Sequence, residues 1–229
     1  MTSPTEGKRV GPVLFTMFPA TTDEQLIVSY PFQNDSALAN QFAEAADRLA
    51  QSFQGRPIDD AILLPWLFLY RHAIELSLKS SIKYATGLRR NNGEEEPKLD
   101  SDAVADRLKR KHRHRLGPLV SELNQHLVAL ELSKVPSAAM KVLTVLAMAD
   151  PTGEAFRYGD NLPDTQDHID FPRLAGAMKQ AYGIASSALD LLDHYGQMQT
   201  DWLDEMHQIE ADMRADFEAD MQAEYGDYQ

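Results

Sequence analysis

The sequence predicts an all-α helical bundle with a short extended N-terminal arm and an acidic C-terminal helix. Three observations predict it. Apolar residues recur at three- and four-residue spacing over most of the chain, β-favouring clusters are confined to the first 33 residues, and proline or glycine punctuates the periodic segments where helices would start or stop. The 229 residues, 43% hydrophobic and 25% charged, suffice for one core, with no linker-like break dividing the chain into balanced halves. The expected organisation is an arm over 1–34, a bundle over 35–197 and an acidic amphipathic helix over 198–229.

In the arm, Pro4, Pro12, Pro19 and Pro31 accompany β-favouring runs at Val13 to Phe18 and Leu26 to Tyr30, so extended chain or a small hairpin is expected. Asp35 or Ser36 can cap a first helix, carried by Leu38, Phe42, Ala45, Ala46, Leu49 and Phe53 and ending at Gly55. Asp59 or Asp60 can cap the second, which runs to Gly87; Pro65 either kinks it or restarts it. Asn91 to Asp100 reads as a solvated loop and Ser101 to Lys111 as a short helix. Gly117-Pro118 and Val135-Pro136 open two more helices, the latter stopping before the turn signal Asp150-Pro151-Thr152-Gly153. Glu154 to Asp170 lacks a period and reads as an ordered loop. Phe171-Pro172 then opens a helical region toward Gly196.

The net charge of −13 argues against general attraction to nucleic acid or to an anionic membrane, but it is unevenly spread. From Asp201 to Gln229 ten carboxylates face the single cation Arg214, while Arg107 to Arg115 places six cations in nine positions. In the tail, Trp202, Met206, Ile209, Met213, Phe217 and Met221 form one apolar stripe on an acidic rod. Such a helix packs on its own domain or on a protein partner, or else it shields the basic segment or mimics nucleic-acid charge. The chain has no cysteine, and the apolar run Val10 to Ala20 is too short to span a bilayer; a cytoplasmic protein without membrane association is expected.

The second helix carries the main chemical signal. Among core residues Leu63 to Ile82, Arg71, Glu75 and Lys79 recur every four positions, and His72 lies three before Glu75. The line is either a satisfied internal network or a site in which Glu75 bridges two cations and orients an imidazole. The run Arg107 to Arg115, beside a helix amino end, suits phosphate or is a solvated charge run. Arg157 either folds back onto Glu75 as a staple or stays exposed to bind phosphate. His168 with Asp164, Asp167 and Asp170 lacks ligand spacing and reads as helix capping, so no metal and no cofactor are expected. Glycine-rich phosphate loops, Gly-x-Ser-x-Gly turns and His-Glu-x-x-His helices are missing from the sequence.

Tyr70 to Lys79, reading YRHAIELSLK, followed by His114, Leu116 and Leu119 and by Arg157-Tyr158, resembles the HEPN-like group of helical bacterial proteins over about Asp35 to Tyr195. That resemblance implies a HEPN-like bundle, a homodimer, and either a metal-independent ribonuclease of toxin or antiviral type or a non-catalytic binding or regulatory protein. Active members carry an arginine followed four to six residues later by a histidine; Arg107 with His112 or His114 meets the spacing, and Arg157 has no such histidine. The resulting expectation is a site for RNA or nucleotide with His72, His114 and Glu75 as catalytic residues and Arg71, Lys79, Arg107, Arg157 and Tyr158 as substrate-binding residues. The alternative is an interaction protein in which these groups only lock the bundle.

Overall fold

The computed structural model describes Met17, Leu26, Ile27, residues 33–157 and residues 166–225. The arm expected over 1–34 therefore lies almost wholly outside the described residues, as does Tyr158. Among the described residues the protein is an all-α bundle with no strand. Six α-helices follow in order: α1 (Asp35–Gln51), α2 (Leu63–Asn91), α3 (Ser101–Asp106), α4 (Leu116–Ala129), α5 (Ser137–Ala149) and α6 (Phe171–Tyr225).

Helix α2 is the axis of the bundle, packing against α1, α4 and α6. Its sequence explains why. Trp66, Tyr70, Ala73, Ile74, Leu78, Ile82 and Ala85 are all buried, and with Ser77 and Ser81 they make an inward face too broad for a helix covered on one side. Burial of each large side chain contributes about 1.5–3 kcal/mol. By length and composition the span Pro57–Asn91 is apolar enough to cross a membrane, with mean hydropathy 1.2, but that apolar surface is the bundle core.

Local chemistry sets the helix ends. The cap of α1 is Asn34, one residue before the expected Asp35: its Oδ1 accepts from Ala37 N at 2.8 Å. Asp59 does not cap α2. It accepts from the backbone N–H groups of Gln54 (2.8 Å) and Arg56 (3.0 Å) and so closes the preceding loop, and these bonds hold its carboxyl below the usual range. A 3-10 turn, Pro57–Ile62, leads into α2, and Pro65 sits in its first turn, where no intrahelical N–H bond is lost. The segment Asn91 to Asp100 is anchored rather than freely solvated: Leu99 is buried, Arg89 pairs with Glu94 and Arg90 with Asp100.

Gly196 does not end the last helix. Helix α6 runs unbroken for 55 residues, roughly 80 Å, so the bundle and the acidic segment share one rod across the expected boundary at 197. A Cβ at Gly196 would lie 2.9 Å from Leu88 Cδ2 and 3.3 Å from the Tyr84 hydroxyl, so this glycine marks where α6 crosses α2 closely. Lys179 to Asp47 (2.7 Å), Tyr182 to Asn40 (2.6 Å) and Tyr84 to Asp193 (2.8 Å) tie the first half of α6 to α1 and α2. At its start Asp170 Oδ1 accepts from Arg173 N at 3.1 Å, the capping expected around His168.

Candidate functional site

The short helix α3 continues as a π-helical turn, Arg107–His112, and is followed by Arg113 at φ 50°. Arg113 N donates to Leu108 O at 2.9 Å, the wide-turn bond that replaces the α-helical one. A wide turn followed by a left-handed non-glycine residue is costly backbone, of the kind often found at functional sites. Its effect here is directional: the histidines at 112 and 114 go to two different carboxylates.

His114 goes to α2. Its Nδ1 lies 3.0 Å from Glu75 Oε1 and 3.2 Å from Oε2, while Lys79 Nζ meets Oε1 at 2.7 Å and Arg71 Nη1 meets Oε2 at 3.3 Å. The polar line of α2 is thus assembled around Glu75, but the imidazole that Glu75 orients is His114 and not His72. Burial alone would raise the Glu75 carboxyl; the Lys79 ammonium and His114 outweigh it and hold the group below the ordinary carboxylate range.

Arg71 is buried between two carboxylates. Its Nε lies 2.7 Å from Asp150 Oδ2, and Nη2 donates to the carbonyls of His114 and, at 3.3 Å, Asp150. Burial pushes the guanidinium pKa down, opposed by Asp150 and Glu75. Asp150 also organises the turn after α5, its Oδ1 accepting from Gly153 N (2.7 Å), Glu154 N (2.9 Å) and Ala155 N (3.1 Å). Gly153 has φ +88°, and a Cβ there would sit 2.3 Å from His114 Cβ and 3.0 Å from Arg71 Nη1. The Asp150 turn and the basic segment are therefore locked onto α2 through one guanidinium, whose residue is 2% exposed and so is buried away from the substrate-binding role expected of it.

Three further expectations are corrected. His72 makes no bond to Glu75: its ring stacks on Phe68 (5.8 Å) and meets Phe42 edge-on (4.6 Å), its Nδ1 is buried without a partner, and burial lowers its pKa. Arg157 does not staple to Glu75; its exposed guanidinium lies 4.9 Å over the Phe68 ring, an aromatic face that attracts a cation. Arg107 faces away from Glu75 altogether.

Arg107 belongs to a second cluster built on Glu122 of α4. Its Nε and Nη2 lie 2.9 Å and 2.7 Å from Glu122 Oε1, His112 Nε2 bonds Oε2, and His126 Nε2 is 3.5 Å from Oε1. Arg89 Nη1 contacts His126 Nδ1 at 3.0 Å and closes the chain toward Glu94. Burial would raise Glu122, but His126, Arg107 and His112 together hold it far below the usual range. Sequence reasoning missed Glu122, His126 and Arg89. The Glu122/His126 pair, four apart on one helix face, was the available signal.

The Glu75 centre opens to solvent through His114, whose side chain is 40% exposed, whereas that of Glu75 is 1% exposed. His114 lines a cleft of about 670 Å³ together with Lys109, Arg110, Lys111, Arg113 and Arg115, where Glu154 is the carboxylate. Fold and site together define an all-α bundle with a buried carboxylate holding one nitrogen of a solvent-reached imidazole at the edge of a polybasic cleft. No protein-family model, curated protein or solved structure matches the chain.

Proposed function

We propose that the protein binds RNA phosphates in the polybasic cleft and cleaves the strand there without metal, with His114 as the acid-base residue and Glu75 orienting it. The observation that carries this reading is the Glu75–His114 pair. A buried carboxylate on Nδ1 fixes the tautomer and leaves Nε2 as the nitrogen able to exchange a proton. His114 takes the proton of a ribose 2′-hydroxyl as the 2′ oxygen bonds to phosphorus, and the 5′ oxygen leaves with a proton from solvent. The product is a 2′,3′-cyclic phosphate. Lys109, Arg110, Arg113 and Arg115 neutralise the phosphates flanking the scissile bond. This keeps His114 and Glu75 from the expected set, assigns Lys79 to supporting Glu75, and withdraws His72, Arg71 and Arg107 from contact with substrate. HEPN-like kinship, homodimer formation and a cytoplasmic toxin or antiviral role belong to the same proposal.

The test is incubation of the full chain with mixed RNA lacking divalent ions, beside His114→Ala and Lys109→Glu/Arg113→Glu. The reading expects cyclic-phosphate products, lost in His114→Ala with RNA binding retained, and binding lost in the charge-reversed variant. Retained cleavage by His114→Ala refutes it. A second, non-catalytic reading is favoured by one specific observation, the burial of Arg71 between its ion-pair partners Glu75 and Asp150. On that reading the protein is an interaction or regulatory protein in which these groups only lock the bundle.

A further inference from the structure

From Thr200 to Met221 every residue of α6 is exposed, so some 33 Å of helix stands clear of the bundle. Its apolar side chains are uncovered: Met198, Trp202, Leu203, Met206, Ile209, Met213, Phe217 and Met221 are 37–68% exposed. A helix without tertiary packing is marginal in water, and the charges here make it worse. Asp201 with Glu205, Asp212 with Asp216, and Asp216 with Asp220 are acidic pairs four apart, each repulsive. The last three form a row one residue before Ile209's successors Met213, Phe217 and Met221, and acidic residues toward a carboxyl end also oppose the helix dipole. What relieves both the bare stripe and the acidic row is an apolar face edged with cations.

We propose that the free half of α6 is a docking surface for a basic amphipathic helix of a different protein. A second copy of this chain is the wrong occupant because its charge repeats the same sign. Between Asp201 and Met221 eight carboxylates oppose Arg214, so two copies side by side would place sixteen carboxylates against two arginines. Paired helices lie 8–10 Å apart, within about one screening length at physiological salt. Methionine at 198, 206, 213 and 221 gives the stripe adaptable side chains that suit a partner of unlike sequence. The cleft at His114 plays no part, so this inference stands or falls separately from RNA cleavage.

The experiment titrates the full chain with a synthetic 24-residue helix bearing leucine on one face and lysine on its flanks, beside the same peptide with glutamate for lysine. Trp202, 59% exposed, reports docking by a blue shift in emission, while fully buried Trp66 gives a constant background. The lysine peptide binds one to one and weakens at least tenfold as salt rises from about 50 to 500 mM; the glutamate peptide does not bind. Met206→Glu/Phe217→Glu weakens binding at least tenfold although it adds negative charge, with the bundle's melting temperature unchanged. Equal or tighter binding by that variant means charge attraction alone and overturns the proposal. So does the lack of any lysine-peptide binding, or a dimer of the full chain that this variant splits into monomers.

Discussion

Replacing Glu75 by Gln removes a charge while keeping nearly the same shape, and the geometry around it sets the consequence. Arg71 Nη1, Lys79 Nζ and His114 Nδ1 all converge on its two oxygens. A carboxylate accepts from all three; a glutamine amide offers one acceptor and turns its NH2 toward a cation or the imidazole. Breaking a buried ion pair by changing one partner costs about 3–5 kcal/mol. The lower end applies here, because Arg71 keeps Asp150 and Lys79, 16% exposed, can turn to water. A loss of about 3 kcal/mol in a chain of this size lowers the melting temperature by roughly 6–12 °C. Urea unfolding measures it directly. The pH dependence supplies a second check. The Glu75 carboxyl lies below its unfolded value of 4.5, so its contribution is present above pH 4.5 and is lost as the pH falls through the folded-state pKa. Wild type and Glu75→Gln therefore converge in stability on acidification. A difference under about 0.5 kcal/mol at neutral pH, or one that grows toward acid, refutes the account of Glu75 as the ionised hub.

Gly153→Ala tests the same centre without touching an ionisable group. The left-handed φ costs an alanine about 1–2 kcal/mol, and its methyl collides with His114 Cβ, so stability falls, and with it the rate of the RNA cleavage proposed for His114; chemical denaturation and an initial-rate assay check them. At position 113 glycine outperforms alanine by about 1 kcal/mol, the reverse of an ordinary helical site, because φ is 50° there. Comparing Arg113→Gly with Arg113→Ala cancels the lost cation and isolates the backbone, and equal stabilities would show that the turn relaxes freely.

The helices were legible in the sequence because each is a local pattern: Leu38 to Phe53, Leu119 to Leu130 and Met140 to Ala147 repeat at the spacing of one helix face. The line Arg71, Glu75, Lys79 was legible for the same reason, since residues four apart meet on a single helix whatever surrounds it. Its partners were not. Asp150, 79 positions from Arg71, and His114, 39 from Glu75, arrive only when α4 packs on α2 and α5 packs on α4 and α6.

What the sequence by itself determined is the all-α class, the main breaks between helices, the charge asymmetry and the stripe on the acidic rod. Tertiary structure alone decided that Glu75 takes His114 rather than His72, that Arg107 and His112 serve Glu122, and that α6 runs past Gly196 into solvent. The physical reason is the range of the forces. Periodicity and capping act within a few residues, whereas the partner of a buried charge is chosen by which carboxylate the folded chain brings within about 3 Å. In the segment from Arg107 to Arg115 one wide turn and one left-handed residue reverse that choice between neighbouring histidines.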